Sequence, residues 1–128
     1  MELYVGGRAQ GKLDFVLHQK KMEESSKLIC DGVDCTTEDI LTKPIINHFH
    51  EFIRRLIKEN EEVEAFLEKL IKDNPSVIIL CDEVGYGIVP MEKEDRRYRE
   101  IVGRSCCKLA EHADSVVRIV CGIGQKLK

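Results

Sequence analysis

Two glycines and a Gly-Lys pair near the start of the chain have the residue types and spacing of a phosphate-binding loop. The segment reads Gly6-Gly7-Arg8-Ala9-Gln10-Gly11-Lys12-Leu13. In such a GxxxxGK loop, glycines let backbone N–H groups approach a phosphate, the following helix N-terminus attracts it, and the lysine neutralises its oxygens. An apolar run precedes the loop and a short helical pattern follows it, as the motif requires. We therefore predict that residues 6–13 bind nucleotide phosphates; a solvated glycine-rich turn is the alternative.

One position departs from this motif. The residue after the lysine is normally Ser or Thr, whose hydroxyl coordinates Mg²⁺. Leu13 occupies that position and cannot bind a metal. Either carboxylates elsewhere or the phosphates alone hold the metal, or the loop binds nucleotide without turning it over efficiently.

Acidic residues follow two other apolar runs. Val77–Cys81 is followed by Asp82 and Glu83, a Walker-B arrangement in which Asp binds the metal and Glu can act as a base. Consecutive strand residues point to opposite faces, so at most one of the two should face the phosphates. Asp31 follows a further apolar run. We predict catalytic roles for Lys12, Asp82 and Glu83 and metal binding by Asp31 and Asp82; solvated strand-end acids are the alternative.

The glycine- and proline-rich segment Gly85–Pro90 predicts a shaped loop, and arginines on the helix after it predict mainly a solvated basic face. Two histidines, His48 and His50, are two residues apart on a predicted helix, so they should not share a face or bind one metal. These two, together with His18 and His112, are expected to be structural or solvated.

Alternating apolar runs and helical patterns predict the elements that position these residues. Strands are predicted at Leu3–Val5, Lys27–Cys30, Val77–Cys81 and Val116–Cys121. Helices are predicted directly after the first strand, over 45–57 with Pro44 at its start, over 63–71, and from about Lys93 to His112. This alternation predicts a parallel α/β sheet with ligands at the carboxyl ends of its strands.

Length and composition limit the other possibilities. With 128 residues, one domain over 1–128 is expected. A net charge of −3 and 5% aromatic residues argue against nucleic-acid binding. No apolar run approaches the roughly 20 residues of a membrane span. The chain shows no secretory signal and its six cysteines form no CxxC pair, so we expect a cytoplasmic protein with free thiols.

Several segments resemble adenosylcobinamide kinase/adenosylcobinamide-phosphate guanylyltransferase. The loop at Gly6–Lys12 matches that family, as do the runs 82–90, 96–104, 110–114 and 121–128. The resemblance covers roughly residues 1–20 and 76–128. It implies an α/β P-loop NTPase fold, RecA-like, with a mostly parallel sheet flanked by helices in truncated form. It also implies a homo-oligomer, and phosphorylation of adenosylcobinamide by ATP or GTP, with Mg²⁺, in cobalamin biosynthesis, then GMP transfer through a guanylylated histidine.

Carried over by the resemblance, the loop residues bind phosphate and Glu83 is the acid near the site. Asp31 or Asp34 stands for the acid after the middle strand. Two family features are absent: Cys106-Cys107 replaces an Asn-Gln pair, and the histidine-containing HR-x-x-RP segment has no counterpart. We therefore expect a cobinamide-directed kinase rather than a guanylyltransferase. The alternatives are a non-catalytic nucleotide-binding or regulatory module and a structural subunit with a vestigial loop.

Overall fold

Helices and strands alternate in the computed structural model, which describes residues 1–24, 27–84 and 92–128. In chain order the elements are β1 (Glu2–Gly6), α1 (Lys12–Lys20), β2 (Ile29–Asp31), α2 (Thr37–Thr42), β3 (Ile45–Asn47), α3 (Phe49–Lys58), α4 (Val63–Asp73), β4 (Ile78–Asp82), α5 (Lys93–His112), β5 (Ser115–Val120) and β6 (Ile123–Lys126). The predicted segment Gly85–Pro90 lies outside the described residues.

The described strands form one sheet in the order β2-β3-β4-β1-β5-β6. All neighbours are parallel except β5 and β6, which form an antiparallel hairpin. Gly6 at the end of β1 lies opposite Asp82 at the end of β4. The loop after β1 and the acids after β4 therefore leave the sheet at the same edge. The predicted α/β fold with a mostly parallel sheet is confirmed.

Helices cover both faces of the sheet, and β4 shows how the core divides. Ile79 and Cys81 pack into the larger apolar cluster, which includes side chains of α2, α3, α4 and α5. Ile78 and Leu80 point the other way, into a smaller cluster that includes side chains of α1. Each fully buried aliphatic side chain of this kind contributes about 1.5–3 kcal/mol. Burial on both faces explains why β4 reads as a continuous apolar run.

The single helix predicted over residues 45–57 is wrong at its start. Ile45 and Ile46 are both fully buried, but in the clusters on opposite faces of the sheet, as strand residues are. The Pro44 carbonyl accepts a hydrogen bond from the N–H of Ile78 rather than opening a helix. A strand of three residues, covered on both faces, shows no alternation in sequence. In the sequence pattern, its isoleucines therefore resemble an extension of the apolar stripe of α3, although that helix begins only at Phe49.

Two further elements were not predicted, α2 and β6. Helix α2 is opened by a capping box, in which the Thr36 hydroxyl accepts from the N–H of Asp39 while the Asp39 carboxylate accepts from the N–H of Thr36. A strand was predicted at Lys27–Cys30, but β2 covers Ile29–Asp31. The observed strand is therefore shorter than the predicted one and begins later in the chain. Within the described ranges, no helix is both long and apolar enough to cross a bilayer.

Candidate active site

The glycine-rich loop connects β1 to α1 and encloses the ammonium group of Lys12. This side chain is 8% exposed, and its Nζ donates to the backbone oxygens of Gly7 at 2.8 Å and Gly6 at 3.3 Å. Gly11 has the left-handed φ of 87° at the N-cap of α1, where glycine avoids the steric cost of a side chain. A Cβ on Gly6 would collide with the backbone oxygen of Ile119 on β5. The two glycines therefore allow both the turn and its close approach to the sheet.

The hairpin turn between β5 and β6 holds the loop from one side. The side-chain oxygen of Gln10 accepts from the N–H of Cys121 at 2.8 Å, and its backbone oxygen accepts from the N–H of Gly122 at 2.8 Å. Leu13 lies in the first turn of α1 and packs against the smaller apolar cluster. The position that supplies a hydroxyl in other such loops is thus used for packing in this chain.

Asp82 and His50 form a buried polar cluster with Lys12. The Asp82 carboxylate, 14% exposed, lies 2.6 Å from Lys12 Nζ through Oδ1 and 3.4 Å from His50 Nε2 through Oδ2. The N–H of Asp82 donates to His50 Nδ1 at 3.1 Å, so the neutral imidazole carries its proton on Nε2, facing the carboxylate. Burial lowers the pKa of His50 below its usual 6.5. A neutral imidazole therefore orients Asp82 towards the lysine.

Glu83 is held differently from its neighbour. Arg118 on β5 donates to it through two nitrogens, Nε to Oε1 at 3.0 Å and Nη2 to Oε2 at 3.2 Å. The N–H of Glu83 also donates to the backbone oxygen of Gly6 at 2.8 Å. The pair with Arg118 is bidentate, which fixes the orientation of the carboxylate. Of the two acids that follow β4, Asp82 contacts Lys12, whereas Glu83 contacts Arg118 on β5, which lies on the other side of β1.

Asp31, at the end of β2, contacts a histidine rather than the acids of β4. His48 Nδ1 lies 3.0 Å and 3.1 Å from the two carboxylate oxygens of Asp31. Because β3 separates β2 from β4, Asp31 and Asp82 are on strands roughly 10 Å apart. Asp34 is exposed on the following turn. Among the residues described, no group of three or more metal-binding side chains comes together.

Lys12, His50 and Asp82 line a cleft of about 680 Å³ at the carboxyl edge of the sheet. The glycine-rich loop forms one wall, and the N-terminal part of α3 forms the other. Lys12, Asp82 and Glu83 all line it, whereas Asp31 lies behind His48 and outside the lining. A lysine and a glycine-rich loop at the wall of a cleft are groups that suit a phosphorylated ligand.

Sequence reasoning missed both histidines of the cleft. They line it together, with ring centroids 5.8 Å apart, because His48 precedes α3 in a left-handed conformation, φ 52°, and is not a helical residue. Both histidines follow the carboxyl end of β3. A correct prediction of that strand would have placed them at the edge of the sheet where ligands bind. His18 is exposed on α1, outside the cleft.

Residues 8–127 match the family described as cobinamide kinase / cobinamide phosphate guanyltransferase. The chain is also similar to the bifunctional adenosylcobalamin biosynthesis protein CobU of Salmonella typhimurium, with 36% identity over 69 residues. The protein of the same name from Escherichia coli is 36% identical over 69 residues as well. Each alignment covers 54% of this chain and 38% of the relative, so the match spans well under two thirds of the relatives' length.

Proposed function

The chain belongs to the cobinamide kinase / cobinamide phosphate guanyltransferase family, and from this premise we propose that it phosphorylates adenosylcobinamide with ATP or GTP. The P-loop and the α/β fold predicted from the resemblance agree with this membership. The observation that carries the proposal is the Lys12–Asp82 contact of 2.6 Å inside the cleft. It joins a phosphate-binding cation to the strand-end acid that kinases of this type need.

In the proposed reaction, the loop and Lys12 hold the β- and γ-phosphates of the nucleotide. The substrate hydroxyl oxygen forms a bond to the γ-phosphorus, and its proton passes to water. The bond from the γ-phosphorus to the bridging oxygen breaks, and its electron pair leaves on the nucleoside diphosphate. Lys12 neutralises the charge that develops, while Asp82 and Glu83 keep the lysine and the loop in place through the contacts described above.

The residues present fit a magnesium ion that arrives with the nucleotide. Mg²⁺ is usually held by one or two carboxylates, several waters and substrate phosphates. Asp82 is the carboxylate placed to take this part, because it faces the cleft beside the phosphate loop, whereas Leu13 offers no oxygen. When bound, the ion would neutralise phosphate charge. We propose Asp82, and not Asp31, as the protein ligand.

We propose that residues 1–128 act as one nucleotide-binding domain in the cytoplasm, with a small cobinamide-like substrate and without nucleic acid. A homo-oligomer would cover the unpaired edge of β6, whose four residues are all exposed.

Guanylyl transfer is a second candidate function because of one observation, the carboxylate-bound His48. With Nδ1 on Asp31, the neutral ring keeps its lone pair on Nε2. Such an imidazole is a nucleophile. In this reaction Nε2 would form a bond to the α-phosphorus of GTP while the bond to the bridging oxygen breaks and pyrophosphate leaves. Incubation with GTP followed by intact-mass measurement decides this candidate: an acid-labile GMP adduct in the wild type and none in His48→Asn supports it, and no adduct in either excludes it.

The kinase proposal is tested by incubating the protein with adenosylcobinamide, Mg²⁺ and γ-labelled ATP or GTP. We expect label on the corrinoid. If nucleotide binds and no labelled corrinoid forms with any divalent metal, the non-catalytic nucleotide-binding module is the better description. If no nucleotide binds at all, the phosphate assignment of the loop is wrong as well.

A further inference from the structure

Arg54 lies on the wall of the cleft that faces the phosphate loop, and no part of the function above uses it. It is on α3, four residues and therefore one turn beyond His50, which contacts Asp82. The β5–β6 turn holds the loop from the other side, through Gln10. The cleft thus has a cation on its α3 wall in addition to Lys12.

The guanidinium of Arg54 is fixed by an aromatic platform. Its Cζ atom lies 4.2 Å from the centroid of the Tyr98 ring. Tyr98 is 7% exposed and donates its hydroxyl to the backbone oxygen of His50 at 3.1 Å, which ties α5 to α3. A guanidinium stacked on a buried ring loses little additional freedom when it binds an anion. Arg54 is therefore oriented before any ligand arrives.

The hydrogen-bonding capacity of Arg54 is not filled within the described part of the chain. Its Nε is buried and donates no hydrogen bond to a described residue. The neighbouring carboxylate of Glu51 lies 3.5 Å from Nε, too far for a good charged hydrogen bond. The side chain as a whole is still 42% exposed. Because Nε itself is buried, a ligand in the cleft can meet only the exposed part of the guanidinium. A guanidinium oriented in this way at the wall of a phosphate cleft is well suited to bind an oxyanion.

We propose that Arg54 binds the phosphoryl group in transfer, on the side opposite Lys12. This inference rests on the proposed kinase function and names a further residue of the same site. The anion is the terminal phosphate of the nucleoside triphosphate before transfer and the phosphate monoester of the product afterwards. Arg54 forms and breaks no covalent bond: its fork donates to the equatorial oxygens of the phosphorus while the bond to the bridging oxygen is replaced by the bond to the substrate oxygen.

The test compares nucleotide binding and turnover in Arg54→Ala, Arg54→Lys and the wild type. Arginines that contact a transferring phosphoryl group are worth on the order of 10³-fold in kcat, so we expect a loss of that order in Arg54→Ala. Its affinity for GTP should fall roughly tenfold, since the lost contact is charge-assisted, while its affinity for GDP stays within about twofold. Arg54→Lys keeps the charge but not the planar fork, so its kcat and its GTP affinity should lie between those of Arg54→Ala and the wild type. Ethylguanidinium should restore part of the turnover of Arg54→Ala, which a merely structural role would not allow.

Arg104→Ala is the matched control, because Arg104 is an exposed arginine of α5 that pairs with Glu100 and lies outside this cleft. It should match the wild type in every assay. Equal GTP-to-GDP affinity ratios in Arg54→Ala and the wild type would overturn the proposal, even if neither protein showed kinase activity. If Arg54→Ala fails to fold in a thermal melt, Arg54→Gln is used, and the same ratio decides. The wild type could also show no turnover while Arg54→Ala has a lower GTP-to-GDP affinity ratio than the wild type. That result would count against the kinase function but would support Arg54 as a phosphate ligand.

Discussion

Removal of the Lys12 ammonium should weaken both the fold and nucleotide binding, and the two losses can be separated. In the wild type, Asp82 is 14% exposed and lies 2.6 Å from Lys12 Nζ and 3.4 Å from His50 Nε2. Lys12→Met removes the cation and leaves the histidine. Breaking a buried ion pair costs about 3–5 kcal/mol. Because Asp82 keeps one polar partner and some solvent, we expect the lower end, about 3 kcal/mol. For a chain of this length that corresponds to roughly 10 °C in Tm.

The double variant Lys12→Met/Asp82→Asn removes the unpaired charge as well as its partner. It should regain most of the lost stability, since replacing both members of a buried pair is often close to neutral. Nucleotide affinity should not return. The lost lysine–phosphate contact is worth about 2 kcal/mol, or roughly 30-fold in Kd, and nothing in the double variant replaces it.

Urea unfolding gives the free energies, and calorimetric titration with GTP gives the affinities. Lys20→Met is the control, because Lys20 is on the same helix but pairs with Glu2 at the surface. A pair of that kind contributes about 0–1 kcal/mol. The reasoning is refuted if Lys12→Met binds GTP as tightly as the wild type, or if the double variant is no more stable than Lys12→Met.

Three other substitutions and one chemical modification test separate parts of the structure. Gly6→Ala should destabilise the fold by about 1–3 kcal/mol in urea unfolding, because its Cβ would overlap a backbone oxygen of β5. Gly103→Ala should instead stabilise the fold by up to about 1 kcal/mol, since open space surrounds this position of α5. Equal effects of the two substitutions would contradict the close contact of Gly6 with β5. Tyr98→Phe should cost about 1 kcal/mol through one lost hydrogen bond to the backbone of α3, and a melt unchanged from the wild type would show that this bond contributes nothing. Iodoacetamide should modify the exposed Cys107 well before the buried Cys81. Contact with the thiol of Cys106 and burial raise the pKa of Cys81 well above its usual value, so little reactive thiolate forms. Equal rates of modification on peptide mapping would show that Cys81 is not buried.

The position of the glycine-rich loop between β1 and α1, and that of the acids at the end of β4, could be predicted from sequence because each is a local pattern. The GxxxxGK spacing lies within eight residues, and the acids directly follow a strand that is apolar throughout. Their proximity also followed, because the carboxyl ends of parallel strands meet at one edge of a sheet. The structure places Gly6 opposite Asp82, in agreement with that expectation.

The other wall of the cleft depends on contacts that no local pattern reveals. His48 and His50 belong to the cleft because they follow β3, a strand too short to show alternation. The pairing of Glu83 with Arg118 crosses the intervening strand β1 and joins residues that are 35 positions apart in sequence. The contact of Asp31 with His48 depends on the order of the strands, which the sequence does not contain.

The central claim, that the Lys12–Asp82 cleft transfers a phosphoryl group to a cobinamide alcohol, is tested most directly by the mass of the corrinoid after incubation with nucleotide and Mg²⁺. The comparison is between the wild type and Lys12→Met/Asp82→Asn, which we expect to fold but to lack both the phosphate-binding cation and the proposed metal ligand. The account predicts that the corrinoid gains one phosphoryl group with the wild type and gains none with the double variant. An unchanged corrinoid with the folded, nucleotide-bound wild type, or an equal gain with both proteins, would contradict it.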